Sequence, residues 1–369
     1  MNNTGYMRLD GHAGRVAGAY EVAENLANLC VTQPLLQLFR CLSRFPETLS
    51  TCKNNTNTFF TTENLMNYLK AVIAKLKQAL STLSSVNEKF DEVKINQGMI
   101  LSLLNESKTT SNLKDYEFKV FSQWGEDGII QHLIKSIEIK NKTFIEFGVG
   151  DFFESNCRFL LMKDDWKGFV IDGSKTNIQR LKNSYFYWKH HIDAVDKFIT
   201  KENIEDILAT SGFENDLGIL SVDLDGNDFF ILESINNFNP RILICEYNPV
   251  FGGSRKITIP YQADFFRTNT HHSNLYWGAS LAAMTYLADK KGYSLVGAGT
   301  AGANAFYVRN DLLNEKVKVL SVEAAYSPLN CRESRDENGN LTFITGDKRL
   351  EVIKGLPVYE VEKKTIEQI

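Results

Sequence analysis

One stretch limits the fold more than any other: residues 143–174, TFIEFGVGDFFESNCRFLLMKDDWKGFVIDGS. It reads as a buried strand over Thr143–Phe147, a turn on Gly148 and Gly150, a helix, and a second strand over 168–171 that closes on Asp172. Short apolar runs separated by a helix-length segment point to a β-α-β unit of a parallel sheet. Ligands of such sheets gather at the carboxyl ends of the strands, where glycine lets the backbone come close. Asp172 follows Gly150 by 22 residues, about the distance at which an acid grips ribose hydroxyls. A nucleoside cofactor is the first expectation; a purely structural β-α-β unit is the plain alternative.

The local residues narrow the nucleoside. The dinucleotide fingerprint wants a third glycine where this chain has Phe153, so close packing on a pyrophosphate is not supported. Asp151 and Glu154 in the turn would repel a pyrophosphate but not a cationic sulfonium. Glu146, near the end of the first strand, either orders the turn or meets an ammonium group. The arrangement resembles motif I of class I S-adenosylmethionine (SAM)-dependent methyltransferases. Upstream, Ser122 and Gln123 sit in FSQWGED before a helix at 128–137. Backbone N–H groups there either receive the carboxylate of SAM's methionine part or form an ordinary acid-favouring helix start.

The next strands repeat the pattern. After Asp172 come Gly173 and Ser174, counted with the cofactor site, then a helix, a third strand at 185–192 and Asp193. The segment LGILSVDLDGND (217–228) delivers Asp223 and Asp225, which share a face if the strand persists. The following strand, RILICE, delivers Glu246 and Asn248. Three roles stay open for this polar edge. Asp223, Asp225, Glu246 and Asn248 suit a hard divalent cation such as Mg²⁺. Alternatively Asp225, or His271 or His272 in the loop THHSNLYWGAS, removes a hydroxyl proton directly. In the third, the acids merely bond helix N-termini. Strands at 293–297 and 304–308 form an antiparallel pair that closes the sheet. The glycine-rich turn between them lacks the Lys-Ser/Thr ending of a phosphate loop.

Outside the sheet, residues 1–60 read as an uncertain helical segment with a polar linker at 50–58. Over 61–106 apolar residues recur at alternating three and four: Met66, Leu69, Ile73, Leu76, Leu80 and Leu83, with Phe90 and Val93 resuming after a break. This is a heptad seam on a long helix, which either self-associates as a homo-oligomer or packs on the following domain. The main domain is expected over 117–315, and 316–369, with an Asn-Gly hairpin signal, reads as a β appendage.

Bulk properties exclude several classes. A chain of 369 residues, 43% hydrophobic, buries one large core plus an appendage. A net charge of −4 gives no basic footprint for nucleic acid. No apolar run approaches a membrane span, and the amino terminus has no basic-then-apolar leader pattern. Six scattered cysteines form no zinc spacing. A reducing, cytoplasmic setting is expected.

With these motifs in place, residues 121–313 resemble the FkbM-type branch of SAM-dependent methyltransferases, through FIEFGVG, FVIDGS, SVDLDGND, ILICEYN and YWGASL with ANAFYVRN. The resemblance implies a Rossmann-like α/β sheet, mostly parallel with an antiparallel last strand, and O-methylation of a sugar or glycan hydroxyl. It also implies that Glu146, Gly148 and Gly150 line the SAM pocket, Asp172 binds ribose, Asp193 lies near adenine, and Asp223 and Asp225 face the transferred methyl. Departures are Phe152 and Phe153 after the glycines and Asp225 where many such sequences carry Glu. Two rival classes are an NAD(P)-linked sugar-modifying oxidoreductase and a non-catalytic coiled-coil scaffold on a degenerate fold.

Overall fold

A computed structural model describes residues 62–328 and 330–369. The expectations for residues 1–60 lie outside the described residues. The chain divides into two compact units, 1–77 and 78–369. Of the first, the described part is the opening of helix α1 (Thr62–Glu106), which runs unbroken for 45 residues.

The second unit carries the alternation of strand and helix that the sequence implies. Helix α2 (Glu126–Ser136) precedes β1 (Thr143–Phe147), α3 (Arg158–Asp164), β2 (Lys167–Asp172) and α4 (Lys175–Lys182). Then follow β3 (Ile192–Asp196), α5 (Ile204–Ala209), β4 (Ile219–Val222), α6 (Asp228–Ser234) and β5 (Ile242–Glu246). After the short β6 (Ile257–Thr258) and α7 (Arg267–Thr270) come α8 (Leu281–Lys290), β7 (Tyr293–Ala298) and β8 (Asn304–Arg309).

Seven strands form one sheet in the order β3-β2-β1-β4-β5-β8-β7. The first five are mutually parallel, and β8 runs antiparallel to both β5 and β7. This is the Rossmann-like sheet with a reversed strand that the sequence led us to expect. The chain reverses its direction of travel across the sheet between β1 and β4, the switch point at which a crevice opens.

Side-chain alternation explains why both faces are dry. Along β1, Ile145 and Phe147 join one core cluster while Phe144 joins the other. On β4, Leu220 and Val222 face the first cluster and Ile219 the second. Strands buried on both sides need apolar residues at nearly every position, which is the continuous pattern the sequence shows. The outermost strands differ: β3 exposes Asp193 and Asp196, and β7 carries a bulge between Leu295 and Gly297.

The carboxyl half of helix α1 belongs to the second unit and is fastened within it. Asp91 meets Arg158 at 2.5 Å and accepts from Tyr185 Oη at 2.6 Å. Gly98 permits the approach: a Cβ there would lie 2.5 Å from Val120 and 2.7 Å from the Phe159 ring. Asn105 Nδ2 donates to the Tyr116 carbonyl at 2.7 Å.

The tail expected as a β appendage contributes helices α9 (Val322–Ala325) and α10 (Lys348–Val352) and strands β9 (Pro357–Glu360) and β10 (Thr365–Gln368). With β6 these strands make a second sheet in the order β10-β9-β6. The Asn-Gly signal forms a tight reversal, with Asp336 N–H donating to the Asn340 carbonyl and Gly339 at φ 82°. Among the described residues no helix is long and apolar enough to cross a membrane.

Candidate active site

A cavity of about 470 Å³ opens at the carboxyl ends of β1, β2 and β4. Its floor is the Gly148 turn. Gly148 has φ 66°, and a Cβ there would stand 1.8 Å from the Asp223 carbonyl oxygen. Only glycine lets the β1 and β4 ends close to this separation.

Asp172 lies on the cavity wall and organises the turn around it. Its Oδ2 accepts the Gly150 N–H at 2.8 Å and its Oδ1 the Ser174 N–H at 2.7 Å. Oδ1 also accepts from Asn177 Nδ2 at 3.4 Å, while Oδ2 keeps further acceptor capacity, so a ligand hydroxyl can still donate to it. Gly173 and Ser174 line the cavity as expected, and Ser174 caps α4 by accepting the Asn177 N–H.

Several expected residues stand elsewhere. Glu146 is buried and turned onto the start of α3, accepting the N–H of Asn156 and Cys157 and the Ser155 hydroxyl. Burial raises its carboxyl above the usual range, and those donors pull it back. It orders the turn, and it does not line the cavity. Gly150, at φ 55°, holds Asp172 from outside the cavity lining.

Ser122 is also committed: its hydroxyl and its N–H both donate to Asp127 Oδ2, which takes the N–H groups of Val120 and Phe121 as well. Those donors are closed to a ligand carboxylate. Gln123 is exposed, with its carbonyl on Lys119.

Asp193 is displaced by a misplaced strand. The aromatic run at 185–190 forms turns whose rings cover Arg158 and Phe152. Strand β3 therefore begins at Ile192, and Asp193 pairs in register with Phe169 near the far end of the sheet. Lys197 and Phe198, just past β3, line the cavity instead, and Phe198 is half exposed.

On the other side of the cavity stand Asp223 and Asp225. Asp225 adopts φ 53° and is exposed, so it has left the strand and the two carboxylates do not share a strand face. Arg267 Nη1 meets Asp225 Oδ1 at 2.5 Å, while its Nε donates to the Asn274 carbonyl. The same guanidinium lies 4.7 Å from the Trp277 ring centroid and 3.8 Å from Glu333.

Asp223 and Glu246 form a close acid pair. Burial first, and then neighbouring carboxylates, raise both well above their ordinary values. Glu246 Oε2 is buried with no hydrogen-bond partner among the described residues. Asp228 closes the loop behind them, accepting the N–H of Leu224 and Gly226.

The Mg²⁺ set is not built. Asn248 is fully buried, its amide on the Leu275 and Trp277 carbonyls and its oxygen on the Val250 N–H. Asp225 is held by Arg267. Among the described residues no group of three or more His, Cys, Asp or Glu side chains is placed to hold a metal ion. Of the four expected ligands, Asn248 and Asp225 thus accept from the protein's own donors.

Neither histidine lines this cavity, and only His272 reaches a neighbouring one. His271 Nδ1 bonds the Ser273 hydroxyl at 2.8 Å, and burial lowers its basicity. His272 lines a second cavity of about 420 Å³ that shares Thr268, Asn274 and Glu333 with the first. Glu333, Phe198 and Phe266 come from loops and Arg267 from the single turn of α7, none with a periodicity that sequence could reveal.

No protein-family model matches the chain, and no curated protein matches it in sequence. Its structural neighbours include SAM-dependent methyltransferases. The amino-terminal domain of EvdMO1, solved with S-adenosylhomocysteine bound, is 9% identical, with 51% of this chain and 80% of that one covered at a TM-score of 0.33. A SAM-dependent methyltransferase from Aquifex aeolicus is 11% identical, covering 48% and 88% at 0.28. A protein from Staphylococcus aureus described as a putative caffeoyl-CoA O-methyltransferase is 14% identical, covering 66% and 99% at 0.34.

Proposed function

We propose that the chain is a SAM-dependent O-methyltransferase of FkbM-like type acting on a hydroxyl of a sugar or glycan. The observation that carries this is where the backbone donors at the first turn have gone. Glu146 consumes the N–H groups that open α3, and Asp172 consumes that of Gly150. A pyrophosphate would find no free helix start to bind, which disfavours the NAD(P) alternative. The cavity wall is acidic, with Asp172, Asp223, Asp225 and Glu333 against Lys197 and Arg267. That balance favours a cationic sulfonium ligand.

SAM supplies an electrophilic methyl group when bound. Asp172 accepts from ribose hydroxyls, and the half-exposed Phe198 offers a flat face to the base. Phe266, also half exposed on the cavity wall, offers a face to a sugar ring. Asp225 takes the acceptor hydroxyl's proton and is kept in place by Arg267. Asp223, on the same wall, borders the acceptor. His272, outside the main cavity, orients the acceptor from the adjoining space. Alignment of hydroxyl and methyl supplies most of the acceleration in such a transfer.

The test is calorimetric titration of the full chain with S-adenosylhomocysteine and, separately, with NAD⁺. Micromolar binding of the first, weakened about tenfold or more by Asp172→Asn, is the expected result. Binding of NAD⁺ in its place, or of neither ligand, overturns the proposal.

A further inference from the structure

We propose that a second copy of this chain covers the free face of α1, the two helices running antiparallel. The face shows a change of register from the one read in sequence. Val86, Phe90, Val93, Ile100 and Leu104 are all exposed large apolar residues, and with Gln97 they recur at four, three, four, three and four. The same alternation extends backwards in the sequence through Leu83, Ala79, Leu76, Val72 and Leu69, without the break that follows Leu83 in the other register. Such a repeat is the a/d seam of a two-helix coiled coil.

The opposite side of the helix is the one already used. Asp91, Ile95, Gly98 and Ser102, at outer positions of this heptad frame, make contacts to the rest of the second unit. Docking to the domain and pairing with another helix therefore occupy different faces.

Size favours an interface. Phe90 is 63% exposed, Val93 62%, Ile100 59% and Leu104 60%, with Leu103 beside them at 63%. Their open apolar surface is on the order of 600 Å² per copy. It exceeds the few hundred Å² expected of isolated surface patches and nears the ~800 Å² each partner gives a standard interface.

Charge sets the orientation. A parallel, in-register pair would place Lys89 of one helix against Lys94 of the other, a like-charge contact at the flanking positions that choose orientation. The antiparallel pair that stacks Phe90 on Val93 of the other copy sets Lys89 beside Asn96 and Lys94 beside Asn87. No like charges then meet.

Sedimentation velocity of the full chain at micromolar concentration tests this. A dimer is expected, and the double variant Phe90→Glu with Ile100→Glu should sediment as a monomer, its dissociation constant raised roughly a hundredfold or more. Unchanged circular dichroism and melting temperature in that variant would show that folding is intact. Lys89→Glu should leave the dimer constant within about twofold; tightening by about tenfold would overturn the antiparallel orientation. A monomeric wild-type chain would overturn the proposal outright, whether residues 1–61 or nothing covers the face.

Discussion

Arg267 Nη1 and Asp225 Oδ1 stand 2.5 Å apart at the cavity wall, joining a loop beyond β4 to helix α7. The pair is partly exposed, with side-chain accessibilities of 22% and 54%, so its stabilising energy is small. Its value lies in geometry: a carboxylate at φ 53° is held at one place on the wall. Removing the arginine should therefore leave the fold intact and loosen the acid. For Arg267→Met we expect unchanged S-adenosylhomocysteine affinity and melting temperature. Once an acceptor is in hand, kcat/KM should fall by roughly 10²-fold, the cost of a misplaced catalytic group. Asp225→Asn should fall at least as far.

The Asp91–Arg158 contact is of another kind. Arg158 is 1% and Asp91 7% exposed, and the guanidinium also lies against the Phe121 and Phe186 rings, 4.1 and 4.4 Å from their centroids. Breaking one side leaves an uncompensated buried charge. Asp91→Ala should cost about 3–5 kcal/mol in urea unfolding. Removing both charges with Asp91→Leu and Arg158→Met should recover part of that loss.

Stability should also fall as pH rises from about 4 to about 6. Burial pushes the carboxyls of Asp127 and Asp228 up to about 6, against an ordinary 3.8. Between those values the folded state holds protons that the unfolded state has released, so the slope of unfolding free energy with pH is negative. Each group contributes up to about 3 kcal/mol at the low end, at 1.36 kcal/mol per pKa unit. His132, whose basicity burial lowers from 6.5 to about 4, pulls the other way across this range and offsets about one group's share, whereas Asp216, held below its ordinary 3.8, acts only beneath it. The check is urea unfolding across this range: Asp127→Asn should flatten the slope by one group's share.

What sequence made legible was the backbone of the sheet. An apolar run ended by an acid marks a strand and its carboxyl end, and Asp172, Asp223 and Gly148 reach the cavity as that pattern implied. The rest was hidden in tertiary bonds. Aromatic residues at 185–190 have strand propensity, yet here Phe186 turns in against Arg158 while Trp188 stays exposed, and β3 starts later. Asn248 looked like a free ligand until its amide was found on two backbone carbonyls. Arg267 and Glu333 approach one another across 66 residues of chain, and no local pattern announces such a meeting.

The two outer strands of the large sheet carry a further consequence. An open strand edge is a template for aggregation. Here β3 offers two exposed carboxylates, Asp193 and Asp196, to any incoming strand. At the other margin the bulge in β7 spoils the hydrogen-bond spacing, and the Leu320 N–H already occupies the Leu295 carbonyl. Both margins of the seven-stranded sheet thus carry features that discourage an incoming strand.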